Sequence, residues 1–126
     1  YDKKISILFN DGKKFGPYLM ISGNSFSPDS KKWVFAGVEE QYVSSVLYFS
    51  DGRKIPIGWL LNFYWLSEDW VCEYQQSVEE EKYCGYILWG SGEKYGDECF
   101  KLSVVKNEVK WYSVEKDTVI LNSIIR

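Results

Sequence analysis

The sequence predicts an all-β domain built from antiparallel four-stranded units that recur roughly every 40 residues. Three observations predict it. Asp11-Gly12, Asp51-Gly52 and Ser91-Gly92 recur at one fixed spacing, each between an apolar triplet and a charged pair closed by another apolar residue. Period-two alternation puts Trp33, Phe35 and Gly37 on one face of a strand and Val34 and Ala36 on the other. No segment offers ten capped residues of helical periodicity, and the best candidate, Gln75 to Lys82, is too polar to bury a stripe.

The elements follow in order. The chain opens in a strand at Ile5 to Phe9 and turns through Asp11-Gly12. A full unit then runs as strand a near Asn24 to Phe26, b near Trp33 to Val38, c near Tyr42 to Phe49 and d near Arg53 to Ile55. Asp-Gly between apolar runs signals a two-residue hairpin, because glycine takes positive φ without steric cost. Two more series keep their order in each copy. One is Lys32-Trp33-Val34, Asp69-Trp70-Val71 and Lys110-Trp111-Tyr112. The other starts at Val38-Glu39-Glu40, Val78-Glu79-Glu80 and Val114-Glu115-Lys116, at the b–c turn. The units are thus about 1–40, 41–80 and 81–120, with a closing strand at 119–126, in one domain spanning residues 1–126.

Residues 24–36, Asn24-Ser25-Phe26-Ser27-Pro28-Asp29-Ser30-Lys31-Lys32-Trp33-Val34-Phe35-Ala36, resemble the blade signature of bacterial TolB-like propeller repeats. Leu47-Tyr48-Phe49-Ser50-Asp51-Gly52-Arg53-Lys54 is similar to the turn from third to fourth strand in that family. The likeness covers residues 24–55 and departs elsewhere: Ser30 stands for the usual glycine, Leu66-Ser67-Glu68-Asp69 replaces the Ser-Pro-Asp-Gly turn in the second copy, and Val105-Lys106-Asn107-Glu108 in the third. A sialidase-type Asp-box fits less well, since its glycine is missing and Trp33 comes one residue early. The resemblance implies propeller blades. Propellers use about 4–8 blades, so three units imply a longer parent chain or assembly. The rival is a β-trefoil, which also needs three units of this length.

Composition narrows the function. The 126 residues carry 45% hydrophobic side chains and 23 aromatics, enough for a core. Net charge is -3 without a basic stretch, so no nucleic-acid footprint is visible. No apolar run is long enough for a membrane-spanning helix. The chain starts without Met or an apolar leader, as expected of a mature form, a trimmed chain or a piece of something longer. Histidine is absent, which removes Ser-His and Cys-His catalysis and His-ligated zinc. The expectation is a module that is not an enzyme and uses no cofactor or metal.

Cys72, Cys84 and Cys99 show no zinc spacing. A two-residue hairpin centred on Ser91-Gly92 would put Cys84 opposite Cys99, within reach of a disulfide that implies a secreted or periplasmic setting. The alternative is three buried thiols acting as small hydrophobes.

Candidate contacts come from the aromatics. Trp59, Phe63, Tyr64 and Trp65, with Trp70 behind them, form the densest stretch; Phe63 and Trp65 share one strand face and Tyr64 takes the other. Trp59, Tyr64 and Trp65 are the candidate binding residues, for a protein partner, self-association or a sugar face, against the alternative of core packing. Lys13-Lys14 and Arg53-Lys54 set basic pairs on one rim, either ligand-facing or merely solubilising. Glu39-Glu40 and Glu79-Glu80-Glu81 read as solvated turns rather than a metal or basic-partner site, and lack a calcium-loop pattern. Glu68, Asp69, Asp97 and Glu98 could supply paired carboxylates for hydrolysis, yet nothing singles them out. The first reading is a protein-contact module or scaffold; the second is a lectin-like trefoil.

Overall fold

A computed structural model describes the chain apart from residues 1–3, 10, 39–44, 80–81, 97 and 126. The described residues are all-β, without a helix. Among the described residues thirteen strands form four small antiparallel sheets, in two compact units, Tyr1–Ile57 and Gly58–Arg126.

In the first unit, β1 (Ile5–Leu8) pairs with β2 (Lys14–Tyr18) as a two-stranded sheet. Next, β3 (Met20–Phe26), β4 (Trp33–Val38), β5 (Val46–Phe49) and β6 (Lys54–Pro56) form a meander in chain order. These are the expected strands a to d, with a beginning earlier at Met20 and c described from Val46. The two sheets bury an aromatic seam. Tyr18, Phe35 and Tyr48 are its buried centre, flanked by Phe15 and Trp33. Phe35 stacks on Tyr48 with centroids 5.0 Å apart and on Trp33 at 5.7 Å. The predicted alternation therefore holds: Trp33 and Phe35 share the face turned to this seam.

In the second unit, β7 (Trp59–Trp65), β8 (Trp70–Glu79), β9 (Lys82–Trp89) and β10 (Lys94–Tyr95) repeat the meander. A three-stranded sheet follows, of β11 (Cys99–Val105), β12 (Glu108–Glu115) and β13 (Thr118–Ile125). Met20, Trp59 and Cys99 open successive sheets at nearly equal intervals along the chain. Val71, Ile87, Trp89, Cys99, Leu102, Val109 and Trp111 make the core between these two sheets. Glycine is required where backbones approach closely, as at Gly85. A Cβ on Gly85 would overlap the carbonyl oxygen of Cys99, where β9 and the start of β11 run side by side.

Three sequence expectations need correcting. The glycine turns are longer than two residues. Gly12, Gly52 and Gly92 have φ of 91°, 92° and 103° and donate to the carbonyls of Phe9, Phe49 and Trp89, whose own N–H groups bond to Lys13, Arg53 and Glu93. A tight turn ending in a left-handed glycine adds one bulged residue to the loop. That residue moves the pairing register, so Leu88 faces Lys94 rather than Tyr95. Cys84 consequently does not face Cys99: it pairs with Gln76, while Cys99 leaves the hairpin and pairs with Ser113. All three cysteines are buried thiols, with no disulfide between them. The tryptophan series also slips. Trp33 and Trp70 open their strands, whereas Trp111 sits fourth in β12.

Candidate functional site

The structure separates the aromatic candidates. Strand β7 lies at a sheet edge, and its register shifts between Leu60 and Asn62. Beyond that irregularity the expected alternation holds, with Tyr64 packed on the core of the second unit and Phe63 edge-on to Trp65 at 5.2 Å. Trp65 is half-buried. Of the three candidates Trp59, the first residue of the strand, is the most open at 40% exposed, while Tyr64 is half-buried like Trp65. By register Trp59 and Tyr64 fall on one face of β7 and Trp65 on the other.

The basic pairs behave differently. Lys14 from the first and both Arg53 and Lys54 from the second line one open groove of about 600 Å³, joined by Lys4. Lys13 is not part of it; its N–H instead bonds to Asp11. The exposed rim includes Lys4, Lys14, Gly16 and Gly52, and the buried floor is Tyr18, Tyr48 and Phe49. Register explains the convergence, because Lys54 lies opposite Tyr48 across β5 and β6. Its ammonium sits 5.5 Å from the Tyr48 ring centre, and the Arg53 guanidinium 5.1 Å from that of Phe49. Asp51 holds Arg53 at 3.0 Å, and the Arg53 N–H, first among the causes, keeps the Asp51 carboxyl below its ordinary range.

Charge divides with the fold. Residues 1–57 carry 8 basic and 6 acidic side chains and the remainder 7 and 12, giving formal charges of +2 and -5. The groove belongs to the basic part.

The carboxylate candidates do not form a described pair. Glu68 and Asp69 lie in the β7–β8 turn, where Asp69 accepts the Trp70 N–H at 2.8 Å, and Glu98 just precedes β11. Asp97 lies outside the described residues, as do Glu39, Glu40, Glu80 and Glu81. Among the described residues no group of three acidic or cysteine side chains is placed to hold a metal ion. No helix among them is long and apolar enough to cross a membrane. The Cys72 thiol is pushed up to about 12, chiefly by burial, with the neighbouring charge of Glu73 adding to the shift.

Two features escaped the sequence. Glu73, buried in mid-strand, accepts hydrogen bonds from Asn62 Nδ2 at 2.8 Å and from the backbone N–H groups of Leu102 and Lys101. The other is the outer face of the β11–β13 sheet. Cross-strand partners share a face, so Phe100, Tyr112 and Leu121 form one row across it, with Val119 beside them. Phe100 stacks on Tyr112 at 5.6 Å, while Leu121 is 56% and Val119 58% exposed. The signal was available: Val119-Ile120-Leu121 carries apolar side chains on both faces of a strand.

No protein family model matches the chain, nor does any curated protein or solved structure.

Proposed function

We propose that this chain is a non-enzymatic β-repeat module of propeller-blade type, which works by holding protein surfaces together. Two four-stranded meanders in chain order, with successive sheets opening at nearly equal intervals, support the blade reading. The residue chemistry favours contact over catalysis: the chain contains no histidine, and burial keeps the Cys72 thiol protonated at neutral pH.

The observation that carries the reading is the apolar row Phe100, Tyr112, Leu121 on the β11–β13 sheet, in which Tyr112 and Leu121 are exposed. Its other face, with Val109 and Trp111, is buried against a neighbouring sheet of the same kind. A contiguous apolar row left in water marks an interaction surface. The occupant is the same face of a second copy. Lys110 and Glu108, 3.4 Å apart on the outer face, give it both signs of charge, which lets a two-fold partner set lysine against glutamate.

Sedimentation velocity tests this on the 126-residue chain. Wild type should gain mass as concentration rises through the micromolar range, and Leu121→Lys should remain monomeric. A wild type that stays monomeric throughout, or a variant that associates equally, contradicts the reading.

A further inference from the structure

We propose that the groove between β2 and the β5–β6 hairpin binds an acidic segment of a partner polypeptide. The proposal deepens the protein-contact reading and rests on it, but concerns another surface in the other unit. Among the described residues, Asp51 is the only carboxylate at ion-pair distance from the four cations, and it engages Arg53 alone. Among the described residues no carboxylate pairs with Lys4, Lys14 or Lys54, which stand at the rim of a groove with an aromatic floor. Like charges gathered in a cleft concentrate anionic groups there and raise their association rate.

The chemistry selects among anions. A phosphate or nucleic-acid site draws on forked arginine contacts, and the one arginine here already spends its Nε on Asp51 Oδ2. The remaining lysines are point charges that need no fixed partner geometry, which suits carboxylates on a mobile segment. A small ligand would need enclosure, whereas the rim residues Lys4, Lys14, Gly16, Gly52, Arg53 and Lys54 are all exposed. A chain segment can lie along such an open groove, its carboxylates against the lysines and one apolar side chain over the half-buried Phe15. The -5 charge of the second unit gives it no comparable attraction for acidic chains.

The test is fluorescence anisotropy of a labelled peptide of alternating Glu and Asp with a central Phe, titrated with the full chain at low and high salt. Lys14→Gln with Lys54→Gln should weaken binding about tenfold at low salt, as two partly exposed charge pairs would. Lys106→Gln with Lys116→Gln removes the same charge from the second unit and should change affinity less than about twofold. Both pairs are exposed, and matching circular dichroism melts establish that the variants fold. Absence of peptide binding, equal loss in both double variants, or preferential binding of inorganic phosphate or a single-stranded oligonucleotide overturns the proposal. If the groove fails while Leu121→Lys still abolishes self-association, the acidic-segment assignment falls and the protein-contact reading stands.

Discussion

Glu73 in β8 accepts the backbone N–H of Leu102 at 3.1 Å, across the interface between two sheets. The same carboxylate takes the Lys101 N–H at 3.2 Å, where β11 bulges and Lys101 adopts a φ of 56°. The bulge turns two neighbouring amides inward, and a buried acceptor answers them. Replacing Glu73 with Ala strands both amides and the Asn62 side chain, which should cost about 3–5 kcal/mol. Glu73→Gln keeps one acceptor oxygen but sets an NH2 near a backbone donor, so about 1–3 kcal/mol is expected. Urea unfolding reads both values. An alanine variant within about 1 kcal/mol of wild type would show that the bonds do not bind the sheets together.

Ser30 occupies a left-handed position with φ of 62°, in the turn where the Ser27 N–H bonds to the Lys32 carbonyl. A side chain there costs about 1–2 kcal/mol, and glycine returns part of that gain through the flexibility of the unfolded chain. Ser30→Gly should therefore stabilise the protein by about 0.5–1 kcal/mol, read as a higher urea midpoint at unchanged slope. A lower midpoint would mean that the serine side chain contributes something the turn geometry does not reveal.

Asp29 anchors that same turn. The Ser27 hydroxyl, at 2.6 Å, is the main cause holding its carboxyl below the ordinary 3.8, followed by the Lys31 N–H at 3.0 Å. With the folded value depressed, the stabilisation is complete above the unfolded value and is lost as pH falls through the folded one. Carboxyl-detected NMR titration should place the Asp29 midpoint below 3.8, and Ser27→Ala should raise it. A midpoint at or above 3.8 in wild type removes the hydroxyl's role.

The cysteines make a chemical prediction. All three are buried and unbridged, and the Cys72 thiolate is disfavoured by burial. Native protein in mildly alkaline buffer should react with a disulfide reagent only as fast as it unfolds. Denatured protein that has never met reductant should release three thiols per chain. One thiol in place of three would reinstate a bridge.

Much of this architecture was legible because repetition marks it. Gly12, Gly52 and Gly92 each take positive φ, as turn chemistry demands, and the strands fall between them. What misled was the turn interior. Composition at Ser91-Gly92 does not tell a two-residue turn from a longer loop with a bulge, nor that the chain leaves this hairpin after Tyr95 and carries Cys99 into another sheet. Site residues were harder still. Lys14 and Lys54 meet because two hairpins converge, which no local pattern records, although the sequence did place both basic pairs on one rim. Trp59, Tyr64 and Trp65 drew notice by density, yet density in an edge strand does not say which face is wet. Glu73 looked like any charged residue, because its meaning depends on the amides of a distant strand, β11.

Hydrogen–deuterium exchange at low and high protein concentration tests the central claim most directly. If the β11–β13 face holds a second copy, amides of residues 112–125 should gain protection as concentration rises, and those of β1 to β6 should not. Leu121→Lys should abolish the gain. Unchanged exchange in 112–125 at concentrations where the chain associates, or protection appearing only in the first unit, would contradict it.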